Sequence, residues 1–109
     1  MLDLSKNRLG ELPKDVLRFK PLEKLILNTN IIRSIPEIHT NHLKCIKILD
    51  LNYNRLTYLP SSLCNLVSLE ILTVNNNKLV SLPEEIGRLE KLIQLVLVCF
   101  FKIVISISY

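Results

Sequence analysis

The sequence predicts an α/β repeat solenoid: a curved horseshoe segment with a parallel concave sheet and short helical or 3₁₀ segments on its convex side. Three observations carry this. Asparagines recur at positions 7, 30, 54 and 77, spaced by 23, 24 and 23 residues, each inside the same apolar frame. The composition is skewed, with 23 Leu, 13 Ile, 7 Val and 10 Asn against 2 Gly and no Ala or Trp. A helical bundle would use Ala for close contacts and propensity, so the skew points to a repeated local unit. Each frame ends on an apolar-Pro pair, and in most of them apolar residues come next at about every third position, a rhythm that suits a short helix or 3₁₀ segment.

The elements run in chain order. The first frame is Leu2-x-Leu4-x-x-Asn7-x-Leu9-x-x-Leu12-Pro13. The second runs from Leu22 through Leu25, Leu27, Asn30 and Ile32 to Ile35-Pro36. The third runs from Ile46 through Leu49, Leu51, Asn54 and Leu56 to Leu59-Pro60. The fourth runs from Leu69 through Leu72, Val74, Asn77 and Leu79 to Leu82-Pro83, and a fifth begins at Leu92, Leu95 and Leu97 and then fails. In each frame the apolar-x-apolar pair is a short strand, and alternation sends both side chains to the interior of the coil. After each Pro the return segment is expected to bury Val16, Phe19 and Leu22, then Leu63, Leu66 and Leu69, then Ile86, Leu89 and Leu92. Pro fits the start of such a segment. The second repeat is longer by one residue, with His39, Thr40, Asn41 and His42 where apolar spacing is expected.

The turn after each strand leaves backbone groups that need partners. An amide side chain has donors and an acceptor, so the column Asn7, Asn30, Asn54 and Asn77 is assigned to structure, bonding turn backbone of its own and adjacent repeats. Binding is expected on the concave face, where the outward residues fall into columns. One column is Asp3, Ile26, Asp50, Thr73 and Val96; the next is Ser5, Asn28, Asn52, Asn75 and Val98; a third is Lys6, Thr29, Tyr53, Asn76 and Cys99. A flanking column holds Lys24, Ile48, Ile71 and Gln94. The candidate protein-contact cluster is Ile26, Asp50, Asn52, Tyr53, Ile71, Thr73 and Asn75, with Tyr53 as the aromatic anchor.

Other chemistry is not supported. At 109 residues the chain holds one domain at most, and its net charge of +4 is carried by basic residues spread along the sequence. They read as solvated faces, so no nucleic-acid partner is expected. Cys45, Cys64 and Cys99 form no CxxC pair, and His39-x-x-His42 lacks partners at metal-ligand spacing. Glu84 and Glu85 suit a helix N-terminus electrostatically. No phosphate loop, nucleophile elbow or paired-acid site is visible, so neither enzyme activity nor a cofactor or metal is expected. Without a secretory signal or a glycosylation sequon, a reducing, cytoplasmic setting is the expectation.

The repeats are expected over residues 1–97, with 98–109 a divergent apolar tail. The run from Leu95 to Tyr109 is short for a transmembrane helix and interrupted by Lys102. The loss of pattern there suggests an excerpt of a longer repeat protein with an aberrant or alternative C-terminus; a tail anchor is the competing account.

The frame resembles the leucine-rich repeat superfamily over residues 1–97. The Leu-Pro turn and period are similar to the intracellular class shared by Ras-pathway and cell-polarity scaffolds. Leu63-Cys64-Asn65-Leu66 and the run from Asn76 to Gly87, ending Leu-Pro-Glu-Glu-Ile-Gly, look most like the family that joins leucine-rich repeats to a calponin-homology domain. Members of that family continue with Asp, Ser and Cys-Asn where this chain has Val96, Val98 and Cys99-Phe100, so the divergence begins near Val96. The resemblance implies a protein-interaction module in intracellular signalling or cytoskeletal scaffolding. Its partner would be a protein such as a small-GTPase regulator or a cytoskeletal component. A regulatory segment of a larger enzyme (kinase, cyclase or ligase) and a non-functional truncated product are the alternatives. Nothing that depends on a calponin-homology domain carries over.

Overall fold

A computed structural model describes residues 1–89, 91 and 94–96. The tail 98–109, and with it Leu97, Val98 and Cys99, lies outside them. Five short strands stack in sequence order into one parallel sheet: β1 (Leu2–Asp3), β2 (Lys24–Ile26), β3 (Ile48–Asp50), β4 (Ile71–Thr73) and β5 (Gln94–Val96). The register aligns Leu2, Leu25, Leu49, Leu72 and Leu95, so each coil of the solenoid repeats the one before. Parallel neighbours need a crossover, and here each crossover is the rest of the repeat.

The apolar-x-apolar pairs face inward as expected. Leu25, Leu27, Leu49, Leu51, Leu72 and Val74 are all buried, whereas Leu2 and Leu4 in the first coil are only half-buried because no coil covers them on one side.

On the convex side the Pro residues set the entry. Pro13, Pro60 and Pro83 are extended, with φ of −61°, −68° and −64°, and each carbonyl accepts a bond from the N–H three residues on. Pro13 leads into a single helical turn, α1 (Lys14–Leu17), while Pro60 and Pro83 lead into 3₁₀ turns, η1 (Ser61–Asn65) and η2 (Glu84–Arg88). The first of these departs from the expected spacing. Leu17, four places after Pro13 as the buried Cys64 is after Pro60, is buried, while Val16 is half-buried and Phe19 is 56% exposed.

The second coil has no convex helix. Its apolar anchors are Ile38 and Leu43, too far apart for one turn, and Leu43 takes a left-handed φ of 42° while its N–H bonds Leu17 O. The next coil compensates. Ser62 Oγ accepts from Ile38 N at 3.0 Å, and Asn65 Nδ2 donates to Ile38 O at 2.6 Å. Two side chains of η1 thus satisfy backbone groups that a helix would have paired internally.

Cys64 lies inside η1 and is fully buried, while Cys45 is exposed. Burial pushes the Cys64 thiol up, with Glu85 adding to the effect and Arg88 opposing it. Since the thiolate is the nucleophile, maleimide at neutral pH should label Cys45 and spare Cys64 until denaturant is added. Peptide mapping by mass spectrometry checks this; comparable labelling of the two in native protein would contradict the packing.

Candidate functional site

The Asn column makes a repeating set of bonds. Asn30 Nδ2 donates within its own coil to Leu27 O and Asn28 O, and to Leu4 O of the coil before. Its Oδ1 accepts from Asn7 N and Leu9 N, both at 2.9 Å. Asn54 repeats this with Leu51 O, Asn52 O, Leu27 O and Ile32 N, and Asn77 with Val74 O, Asn75 O, Leu51 O and Leu56 N. Asn7 differs: it is exposed and its amide donates only to Ser5 O. Every inter-coil bond therefore reaches toward the N-terminal neighbour.

The concave columns fall as the register dictates. Ile26, Asp50 and Thr73 are direct neighbours across three strands, and Ile71 pairs with Ile48 in the flanking row. Asp50 is a hub: Oδ2 accepts from Asn28 Nδ2 at 2.9 Å, and Oδ1 accepts from Asn52 N at 3.0 Å and from Thr73 Oγ1 at 3.2 Å. Asn52 Oδ1 in turn accepts from Asn75 N at 2.7 Å. The oxygen of Asn75 meets no donor among the described residues. Asp50, Asn52, Thr73 and Asn75 thus form one hydrogen-bonded network. Asn28, which the sequence cluster omits, belongs to it, and its place in the same column as Asn52 and Asn75 is the signal that could have found it.

Tyr53 and Ile71 lie apart. Ile71 is level with Ile48, five positions before Tyr53, which puts the two at opposite ends of the face, roughly 16 Å apart along the strand direction. Tyr53 is also not on extended backbone. Lys6, Thr29, Tyr53 and Asn76 all have left-handed φ, between 54° and 59°. This turn directs the following Asn inward, and its cost for a residue other than Gly or Asn is about 1–2 kcal/mol. Tyr53 is 59% exposed, so no burial offsets that cost.

The remaining candidates bring no site together. His39 is exposed and His42 half-buried, with ring centroids 4.9 Å apart, and His39 N donates to His42 Nδ1 at 3.1 Å. Burial holds His42 below the usual imidazole range, and His39 and Arg18 push the same way. A convex groove of about 460 Å³ opens beside them, bordered by Glu11, Arg18 and Glu37, and it contains none of the concave residues. Among the described residues no group of three or more His, Cys, Asp or Glu side chains could hold a metal, and no helix is long and apolar enough to cross a membrane.

Known proteins share this architecture. The chain is 60% identical, over 35 residues, to a leucine-rich repeat and calponin homology domain-containing protein of Drosophila melanogaster. That stretch is 32% of this chain but 4% of the relative. A leucine-rich repeat protein of Leptospira interrogans superposes with a TM-score of 0.65 at 30% identity, covering 87% of this chain and 30% of the other. The chain therefore spans a small part of either protein. The leucine rich repeat family model matches residues 1–56 and 20–79 in two overlapping placements. With an inter-coil amide ladder, a parallel sheet of one strand per coil and that match over most of its length, the chain belongs to the leucine-rich repeat family.

Proposed function

We propose that this chain is a protein-interaction module of an intracellular signalling or cytoskeletal scaffold, acting by binding and not by catalysis, and that its concave face is the contact surface. The Asn column holds the coils together and the partner reads the residues between. A cytoplasmic setting and a cytoskeletal or small-GTPase-regulator partner extend this reading, supported by the likeness to the calponin-homology relative over its shared segment.

The observation that carries the proposal is the network on Asp50. Its partners Asn28, Asn52 and Thr73 come from three successive coils and hold one another in place, so a partner meets polar groups already oriented. Such preorganisation lowers the entropic cost of binding. Ile26 and Ile71 add half-buried apolar surface beside it, and Tyr53 adds exposed aromatic surface at the far end.

Tyr53 also separates binding from folding. Asn tolerates the left-handed turn and already occupies the equivalent place at Asn76. Tyr53→Asn is expected to leave stability unchanged or raise it by up to about 1 kcal/mol. The pair Tyr53→Asn/Ile71→Ser is expected to cut retention of partner proteins from a cytosolic extract by about tenfold, the loss of a modest hot spot. Quantitative mass spectrometry of the retained proteins reads the outcome. Equal retention by the pair and by wild type would remove the concave face from the proposal.

A further inference from the structure

We infer that the chain carries a second interaction surface, on the edge reached just past each Asn, and that this edge docks an acidic segment of a partner protein. Between each Asn and the following apolar-Pro pair runs a short segment with alternating burial, left-handed at Arg8 in the first coil, where φ is 57°. The residues one and three places after the Asn are exposed, and the one between them is buried or half-buried. Successive coils are stitched together here by backbone bonds: Ile31 N to Leu9 O, Arg33 N to Gly10 O, Arg55 N to Ile32 O, Lys78 N to Leu56 O and Val80 N to Thr57 O, all between 2.8 and 3.2 Å. The outer side chains therefore form a grid, with neighbouring coils about 4.8 Å apart.

Four of its eight places are cations: Arg8, Arg33, Arg55 and Lys78. None is acidic, and the bordering acid is Glu11 at the N-terminal end. In sequence these cations lie far apart and read as scattered solvation; the coil pitch gathers them into a stripe. None is neutralised, since the ion pair among the described residues is Lys47 with Glu23, elsewhere. Two more places, Ile31 and Val80, are exposed apolar residues, Val80 by 64%.

This mixture selects the partner. Nucleic-acid affinity grows with the number of phosphates neutralised, and four cations neutralise few. The eight places hold no aromatic residue and the exposed Tyr58 borders one coil only, so successive bases find no stacking column. The concave face next to it carries Asp3 and Asp50, which repel a long polyanion. A polypeptide of acidic residues with interspersed aliphatic ones matches both components, giving charge complementarity for orientation and apolar contact for retention.

The test is fluorescence anisotropy of a short labelled peptide of Glu and Asp with interspersed Leu, titrated with the whole chain. At about 0.1 M salt wild type is expected to bind. Raising salt to about 1 M, which shortens the Debye length from roughly 10 to roughly 3 Å, should release it. Arg55→Glu/Lys78→Glu should weaken binding by about tenfold or more. Arg33→Gln/Arg55→Gln, milder for folding, should weaken it several-fold. Both cation pairs are exposed, and matching thermal melts will confirm that the fold is kept. Ile71→Ser, on the concave face, should leave the affinity unchanged, so this surface stands or falls independently of the concave one. No binding by wild type, equal binding by both cation variants, or a matching loss in Ile71→Ser would overturn the assignment. So would tighter binding of single-stranded DNA or of anionic vesicles than of the peptide.

Discussion

Asn54→Ala is expected to destabilise the chain by about 2–4 kcal/mol, and Asn7→Ala, in the same column, by less than about 1 kcal/mol. The two residues occupy equivalent places in the repeat but not in the hydrogen-bond network. Asn54 is 7% exposed and joins four backbone groups: Leu27 O, Leu51 O, Asn52 O and Ile32 N. Each buried group left without a partner costs about 1–3 kcal/mol. The three carbonyls share one amide nitrogen, so the costs do not simply add. Asn54→Asp should recover little, because a carboxylate keeps the acceptor for Ile32 N but turns oxygen toward three carbonyls. Asn7 is exposed and bonds only Ser5 O, which water can replace. Urea titrations of the three variants decide the matter. Equal losses for Asn54→Ala and Asn7→Ala would mean that the ladder does not hold the coils.

Leu49→Ala should cost about 2–5 kcal/mol, the range for deleting a buried Leu side chain whose site cannot collapse. Leu49 is 1% exposed and sits between Leu25 and Leu72 in the register, so its loss opens a void shared by two inter-coil interfaces. In a solenoid, stability is close to a sum of coils and nearest-neighbour interfaces, so an interior defect counts twice. Leu2 holds the same position in the first coil, half-buried and paired on one side only. Leu2→Ala should cost less than about 1.5 kcal/mol. Total stability for a chain of this size is about 5–15 kcal/mol, so the first variant removes a large share and the second does not. A midpoint shift of the same size for both would show that the coils unfold without regard to their neighbours.

The fold was legible because its determinants are periodic. The spacing of Asn and the Leu pairs predicts the strand register, which matches the expected columns of Asp3, Ile26, Asp50 and Thr73 and of Lys24, Ile48 and Ile71. Composition could not reveal where periodicity fails. Phe19 occupies a third-position place in the first return segment, yet it is exposed and Leu17 is buried. The second coil hides its solution in the third: Ser62 and Asn65 look like ordinary turn residues until they meet Ile38 across the coil boundary. On the candidate face, the columns predicted which residues are neighbours but not which are bonded. That Asp50 draws Asn28 into the network depends on side-chain reach. The left-handed turn at Tyr53 is likewise invisible in a residue type that seldom adopts it.

The backward reach of the amide ladder sets an order in time for a chain that leaves the ribosome N-terminus first. The turn of the coil holding Leu4 and Leu9 is closed by Asn30, and that of the coil holding Leu27 and Ile32 by Asn54. Each coil must therefore wait for the Asn of its successor, 23 or 24 residues downstream. At a synthesis rate of roughly 5–20 residues per second, that is a lag of about one to five seconds per coil. During that interval the newest coil shows its unpaired turn to the cell, and the nascent chain matures one repeat behind its own translation.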